Sequence, residues 1–300
     1  MTESFQMQWM IDQFSVGKLI RDFLQEKEIS RAALTDIKFK GGSILVNGEH
    51  VNVRYKLEVD DVLLVRFPPE NPSEGVKGES LPLKILYEDE YLMVVNKPPY
   101  MNTIPSREHP TGSLANALVG YYEKQSIQAT AHIVTRLDRD TSGIVLIAKH
   151  RHVHHLLSKM QKDGVVRRTY EAFSEGVISV DQGTVTAPIG RKVTSIIERE
   201  VREDGQYACT HYRVVRHYPG FTHLELELET GRTHQIRVHM SYLGHPLLGD
   251  ELYGGNHELI SRQALHCKKI KFIHPFTKEE MMFTASLPKD MQEVIKADNR

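Results

Sequence analysis

Residues 68–80 carry Pro68, Pro69, Pro72, Gly75 and Gly78 among four charged side chains and have no apolar periodicity. Proline lacks the donor that a helix or inner strand needs, so this stretch reads as a linker, 68–81. The 300 residues therefore divide into a short amino-terminal module, 1–67, and a larger segment, 82–300, each of which must bury its own core.

In the first segment Val16, Leu19, Ile20, Phe23 and Leu24 recur at helical spacing, and Ser30 is placed to cap a second helix over 31–39. Asn47-Gly48 ends an apolar run from Ser43 and signals a hairpin. Val51, Val53 and Tyr55 then alternate with polar residues, and a last strand is expected over 62–67. This predicts a small α/β module. Beyond the linker, strand-like runs at 91–95, 144–148, 170–173 and 223–228 alternate with helical patterns over 114–124, 152–162 and 233–243. Gly244 can cap the last helix. The larger segment reads as an α+β domain on a mostly antiparallel sheet.

Hydrophobic residues at 40% and charged residues at 26% fit an ordinary globular protein. Cys209 and Cys267 lie far apart, no signal peptide is visible, and no run approaches the roughly 18 apolar residues of a membrane helix. A cytoplasmic monomer with no membrane contact is expected. The net charge of −1 speaks against a nucleic-acid partner only as an average. Residues 131–170 hold eight basic against three acidic side chains, a local excess of +5.

Two constellations carry chemistry. In Arg136-Leu137-Asp138-Arg139-Asp140-Thr141-Ser142-Gly143, alternation lets Arg136 and Asp138 enter a cleft while Leu137 packs inward. In Gly231-Arg232-Thr233-His234-Gln235-Ile236-Arg237-Val238-His239, donors interleave with apolar residues, which makes them costly to bury without an anionic partner. Arg232 or Arg237 could meet a carboxylate from the earlier turn. His150, His152, His154 and His155 read as a solvated helix start near phosphate, and Lys97 as a strand cap or a phosphate contact.

The first constellation resembles the R-L-D-x-x-T-S-G signature of the RluA-type RNA pseudouridine synthases. Asn96-Lys97-Pro98-Pro99, Arg167-Arg168-Thr169-Tyr170 and the run from Gly231 to Asp250 resemble three further motifs of that family, in the same order. Thr135 and Arg168 depart from the common His and Lys. The amino-terminal module is similar to an S4-type RNA-binding domain, although Asp22, Glu26 and Glu28 offset Lys18, Arg21, Lys27 and Arg31.

The resemblance implies a catalytic set of Asp138, Tyr170 and Arg237. It implies RNA contacts from Arg136, which matches an arginine associated with base flipping, and from Arg139, Arg168, Arg232, His234, Gln235 and Arg31. Isomerising uridine breaks the C1′–N1 bond and forms C1′–C5 with no electrons or groups lost, so no cofactor or metal is expected. One ionised carboxylate, Asp138, serves as nucleophile or base. The base must be extruded and stacked, which suits Tyr170. Ribosomal RNA is the expected substrate and transfer RNA the second candidate. The rivals are a non-catalytic RNA-binding assembly factor and a hydrolytic N-glycosidase.

Overall fold

The protein is described by a computed structural model over residues 5–70 and 75–298. Residues 1–4, 71–74 and 299–300 of the expected module, linker and larger segment lie outside the described residues.

The chain opens with β1 (Gln6–Met10), α1 (Ile20–Glu26), α2 (Arg31–Phe39), β2 (Ser43–Val46), β3 (Glu49–His50) and β4 (Val62–Arg66). The Ser30 hydroxyl accepts from the Ala33 amide at 3.1 Å, which caps α2 as its sequence predicts. Asn47 and Gly48 both take positive φ, so β2 and β3 close as a hairpin. The four strands pair in the order β1, β4, β2, β3, and Ile20, Leu24, Ile37 and Leu63 are buried beneath them. Two expectations fail here. The strand through Val51, Val53 and Tyr55 ends at His50, because the chain turns away to pass beside α1, whose Ile20 and Arg21 amides donate to Tyr55 and Val53 carbonyls. Val16 precedes α1 and is exposed.

The second part runs β5 (Ile85–Glu88), β6 (Leu92–Lys97), α3 (Leu114–Lys124), β7 (His132–Ile133), β8 (Ser142–Ala148), α4 (Arg151–Lys162) and β9 (Arg167–Glu175). It continues with β10 (Gln182–Thr186), β11 (Ile189–Arg191), β12 (Arg199–Val201), β13 (Cys209–His217), β14 (Phe221–Leu228) and α5 (Gln235–Tyr242). A 3₁₀ turn at Glu251–Tyr253, β15 (Leu265–Ile273), β16 (Glu280–Thr284) and α6 (Lys289–Asp298) complete it. The large sheet has the order β10, β13, β14, β9, β15, β8, β6, β5, antiparallel except where β15 meets β8. β8 is buried along its whole length, as its unbroken apolar run requires.

At the β8–β15 contact Gly143 has φ +118°, and a Cβ there would lie 2.3 Å from the Cys267 carbonyl oxygen. The final glycine of the Thr141-Ser142-Gly143 turn is thus fixed by a close backbone approach. Both cysteines are free and buried.

The linker is not a loose spacer where it is described. Lys77 and Glu79 exchange hydrogen bonds with Asn116 of α3, and Glu70 accepts from the Arg151 amide at the start of α4. The small sheet rests on the same helix: Phe5 stacks on His150 at 4.2 Å and Phe67 on His152 at 5.3 Å. His150 and His152 are therefore buried, which corrects the expectation of a solvated helix start. Burial lowers both imidazoles to about 4.

Candidate active site

Asp138 sits in the turn before β8, with Leu137 buried and Arg136 exposed as alternation requires. The turn is pinned from three sides. The Thr103 hydroxyl donates to the Leu137 carbonyl and accepts from its amide, at 2.6 and 3.1 Å. Lys97 Nζ donates to the carbonyls of Pro98, Met101 and Arg139 at 2.8–3.0 Å. Burial pulls Lys97 down to about 7 against the opposing charges of Asp138 and Asp140, and the three carbonyl acceptors use all three ammonium hydrogens. Arg262, itself held by Asp290, donates to the Asp140 carbonyl at 2.9 Å. Lys97 is thus a loop clamp and not a phosphate contact.

Arg237 comes from α5. Its Nε and Nη2 grip both oxygens of buried Asp250 at 2.7 and 2.8 Å, and Nη1 reaches Asp138 Oδ2 at 3.2 Å. Burial works against the Arg237 charge, but the two carboxylates outweigh it and raise its pKa. Its guanidinium also lies 4.9 Å from the Tyr253 ring centroid. The chain Asp250, Arg237, Asp138 leaves the outer carboxylate half-exposed. Arg237 takes one oxygen of that carboxylate, and Asp138 lines the cleft.

His234 completes that side. It has a left-handed φ of 57°, so α5 begins at Gln235, two residues later than the apolar pattern predicts. The Tyr253 hydroxyl accepts from the Arg199 amide, which leaves its own hydrogen for His234 Nδ1 at 2.8 Å. This assignment turns Nε2–H toward Asp138 Oδ2, 3.9 Å away. Burial lowers the His234 pKa.

Tyr170 on β9 forms the opposite wall. Its hydroxyl accepts from Arg168 Nη1 at 2.9 Å, and burial raises its phenol pKa. Asp138, Tyr170, Arg237, Arg136, Arg168, Arg232 and His234 all line one cavity of about 70 Å³. A second depression of about 480 Å³ shares Arg136 and Arg232 and adds Arg191 and Arg199 from the β11–β12 hairpin, two cations the motifs did not point to.

Three predicted RNA contacts are not brought to that wall as free donors. Gln235 also lines the cleft, but its amide donates to the Cys209 carbonyl and Thr210, while its oxygen accepts from Thr230 and the Arg232 amide. It organises the loop and has no hydrogen-bonding position left for RNA. Arg139 points outward to Asp140, since the alternation that admits Asp138 turns its neighbour away. Arg31 belongs to α2, beside His155 and Lys159 and away from the cleft. Asp250 and Tyr253 were missed as site residues, although Gly249-Asp250 ends the third motif.

The RNA pseudouridylate synthase family profile matches residues 91–242. YjbO of Bacillus subtilis, called an uncharacterized RNA pseudouridine synthase, is 55% identical over 93% of this chain and 99% of its own length. Ribosomal large subunit pseudouridine synthase D of Vibrio cholerae is 38% identical over 93% of this chain and 88% of its own. Human RNA pseudouridylate synthase domain containing 1 shares the fold, with a TM-score of 0.59 at 23% identity over 74% of this chain and 96% of that one. With the four motifs gathered around one carboxylate, the chain belongs to the RNA pseudouridine synthases, in their RluA-type branch.

Proposed function

We propose that the chain converts uridine to pseudouridine in ribosomal RNA at the Asp138 cleft. The observation that carries this reading is the Asp138–Arg237 contact at 3.2 Å, anchored from behind by Asp250 and walled by Tyr170. Asp138 supplies the carboxylate that acts at the glycosidic bond, and Arg237 keeps it aimed. The Tyr170 ring stacks on the extruded base while it turns, C1′ is rejoined at C5, the C5 proton leaves to solvent, and the freed N1 takes one up, so the composition is unchanged. Arg136 fills the space the base vacates, and Arg168, Arg232 and His234 hold the flanking backbone. The name of the Vibrio relative supports a ribosomal substrate.

Residues 1–67 act in this reading as an S4-like RNA-binding module, 68–81 as its linker and 82–300 as the catalytic domain of a cytoplasmic monomer. Asp138→Asn is expected to abolish pseudouridine formation in ribosomal RNA while RNA binding persists. Undiminished product would overturn the assignment. Release of free uracil by the parent protein would favour hydrolysis instead.

A further inference from the structure

On the sheet face behind the Arg232 loop, three side chains aim potential ligand atoms at one point. Cys209 and His211 are two apart on β13 and so share a face, and Glu229 lies opposite Cys209, its amide bonded to the Cys209 carbonyl. His211 Nε2 is 2.8 Å from Glu229 Oε1 and 3.8 Å from Cys209 Sγ. All three ligand atoms fall within 4.8 Å of one another, the one such group among the described residues. We propose that Cys209, His211 and Glu229 bind a single divalent cation of the zinc class.

The donor set, one thiolate, one imidazole and one carboxylate, is what zinc takes, and tetrahedral bonds to such donors set them roughly 3.4–3.6 Å apart. The two separations straddle that spacing, and the adjustment falls on Glu229, whose side chain is half exposed. A surface ion pair accounts for the His211–Glu229 contact, but not for a buried thiol beside the same ring nitrogen. Thr184 on the neighbouring strand lies 2.8 Å from His211 Nδ1. Accepting Nδ1–H there leaves the Nε2 lone pair for a metal, the usual outer support of a ligating histidine. Loading releases to solvent the thiol proton, and the Nε2 proton where the ring carries it. Solvent supplies the fourth ligand.

The cation would brace the cleft from behind. The Cys209 amide donates to Thr230 and its carbonyl accepts from Gln235, whose oxygen in turn holds the Arg232 amide.

The test uses the chelator-stripped full chain titrated with Co²⁺. We expect one cobalt per chain with a thiolate-to-cobalt charge-transfer band, retained in Cys267→Ser and lost in Cys209→Ser. His211→Asn, at a half-exposed position, guards against misfolding and should weaken binding at least tenfold. Thr184→Val should weaken it about 10–100-fold. No saturable binding, a band surviving in Cys209→Ser, or parental affinity in His211→Asn would overturn the proposal.

Discussion

The cleft around Asp138 and the seam beneath the small sheet are both built from carboxylates facing cations or imidazoles, and they differ in what is left over. The seam is much the larger, about 790 Å³ against about 70 Å³. Its carboxylates are fully engaged: Glu70 meets His132, His150 and the Arg151 amide, and Asp36 meets Lys40 and Arg151. In the cleft Asp138 is held by Arg237 through one oxygen and remains half-exposed. Volume does not mark the reactive place; an anchored carboxylate that still lines an open cleft does.

Acid should separate the two regions most. His150 and His152 sit near 4 in the folded protein against 6.5 when free, so between those values the unfolded chain binds more protons. The stability they contribute is present above pH 6.5 and lost as pH falls to 4, on the order of 3 kcal/mol for each ring. Burial would raise Glu70, but its bonds to His132 and His150 outweigh that and lower it, so its loss on acidification adds in the same direction. Urea titrations at pH 7 and pH 4.5 should show the drop, and His152→Phe should flatten part of it. An unchanged midpoint would mean the seam does not bear on stability.

Asp250→Ala attacks the cleft from behind. Stripping one partner from a buried ion pair costs roughly 3–5 kcal/mol. The variant should lose that in denaturation and lose pseudouridine formation as well, because Arg237 is freed to leave Asp138. Full activity would show that Arg237 is aimed by something else. Tyr170→Phe keeps the ring and removes one hydrogen bond, so its stability should change by about 1 kcal/mol and its activity less than tenfold. Lys159→Ala, which breaks an exposed contact to Glu28 across the seam, should not move the melting temperature beyond replicate scatter.

What could be read from the sequence follows the range of the interactions involved. α2 and α3 are set by local caps and periodicity, and their expected bounds match; turn chemistry closes the Asn47-Gly48 hairpin, but its return strand stops at His50. Asp138, Tyr170 and Arg237 lie in separate motifs that meet in one cavity, which the resemblance implied. β1 carries no such local signal, since Gln6–Met10 is a strand only because β4 pairs with it from the far end of the module. Thr103 and Arg262 clamp the site from elsewhere in the chain, where neither spacing nor composition reveals such partners, whereas Asp250 ends the third motif and only its grip on Arg237 had to come from the structure. The late start of α5 comes from one backbone angle at His234, a residue that tolerates the left-handed region.

The order of the large sheet also sets when the enzyme can exist during synthesis. Its β8, β6, β5 half carries Asp138 at its rim, its β9, β14, β13 half carries Tyr170, and β15 hydrogen-bonds to both. Residues Leu265–Ile273 must therefore leave the ribosome before the two halves are zipped together. At 5–20 residues added per second, the halves wait several seconds for their last inner strand. Until that strand arrives, the rim that carries Asp138 and the wall that carries Tyr170 are not held in one sheet.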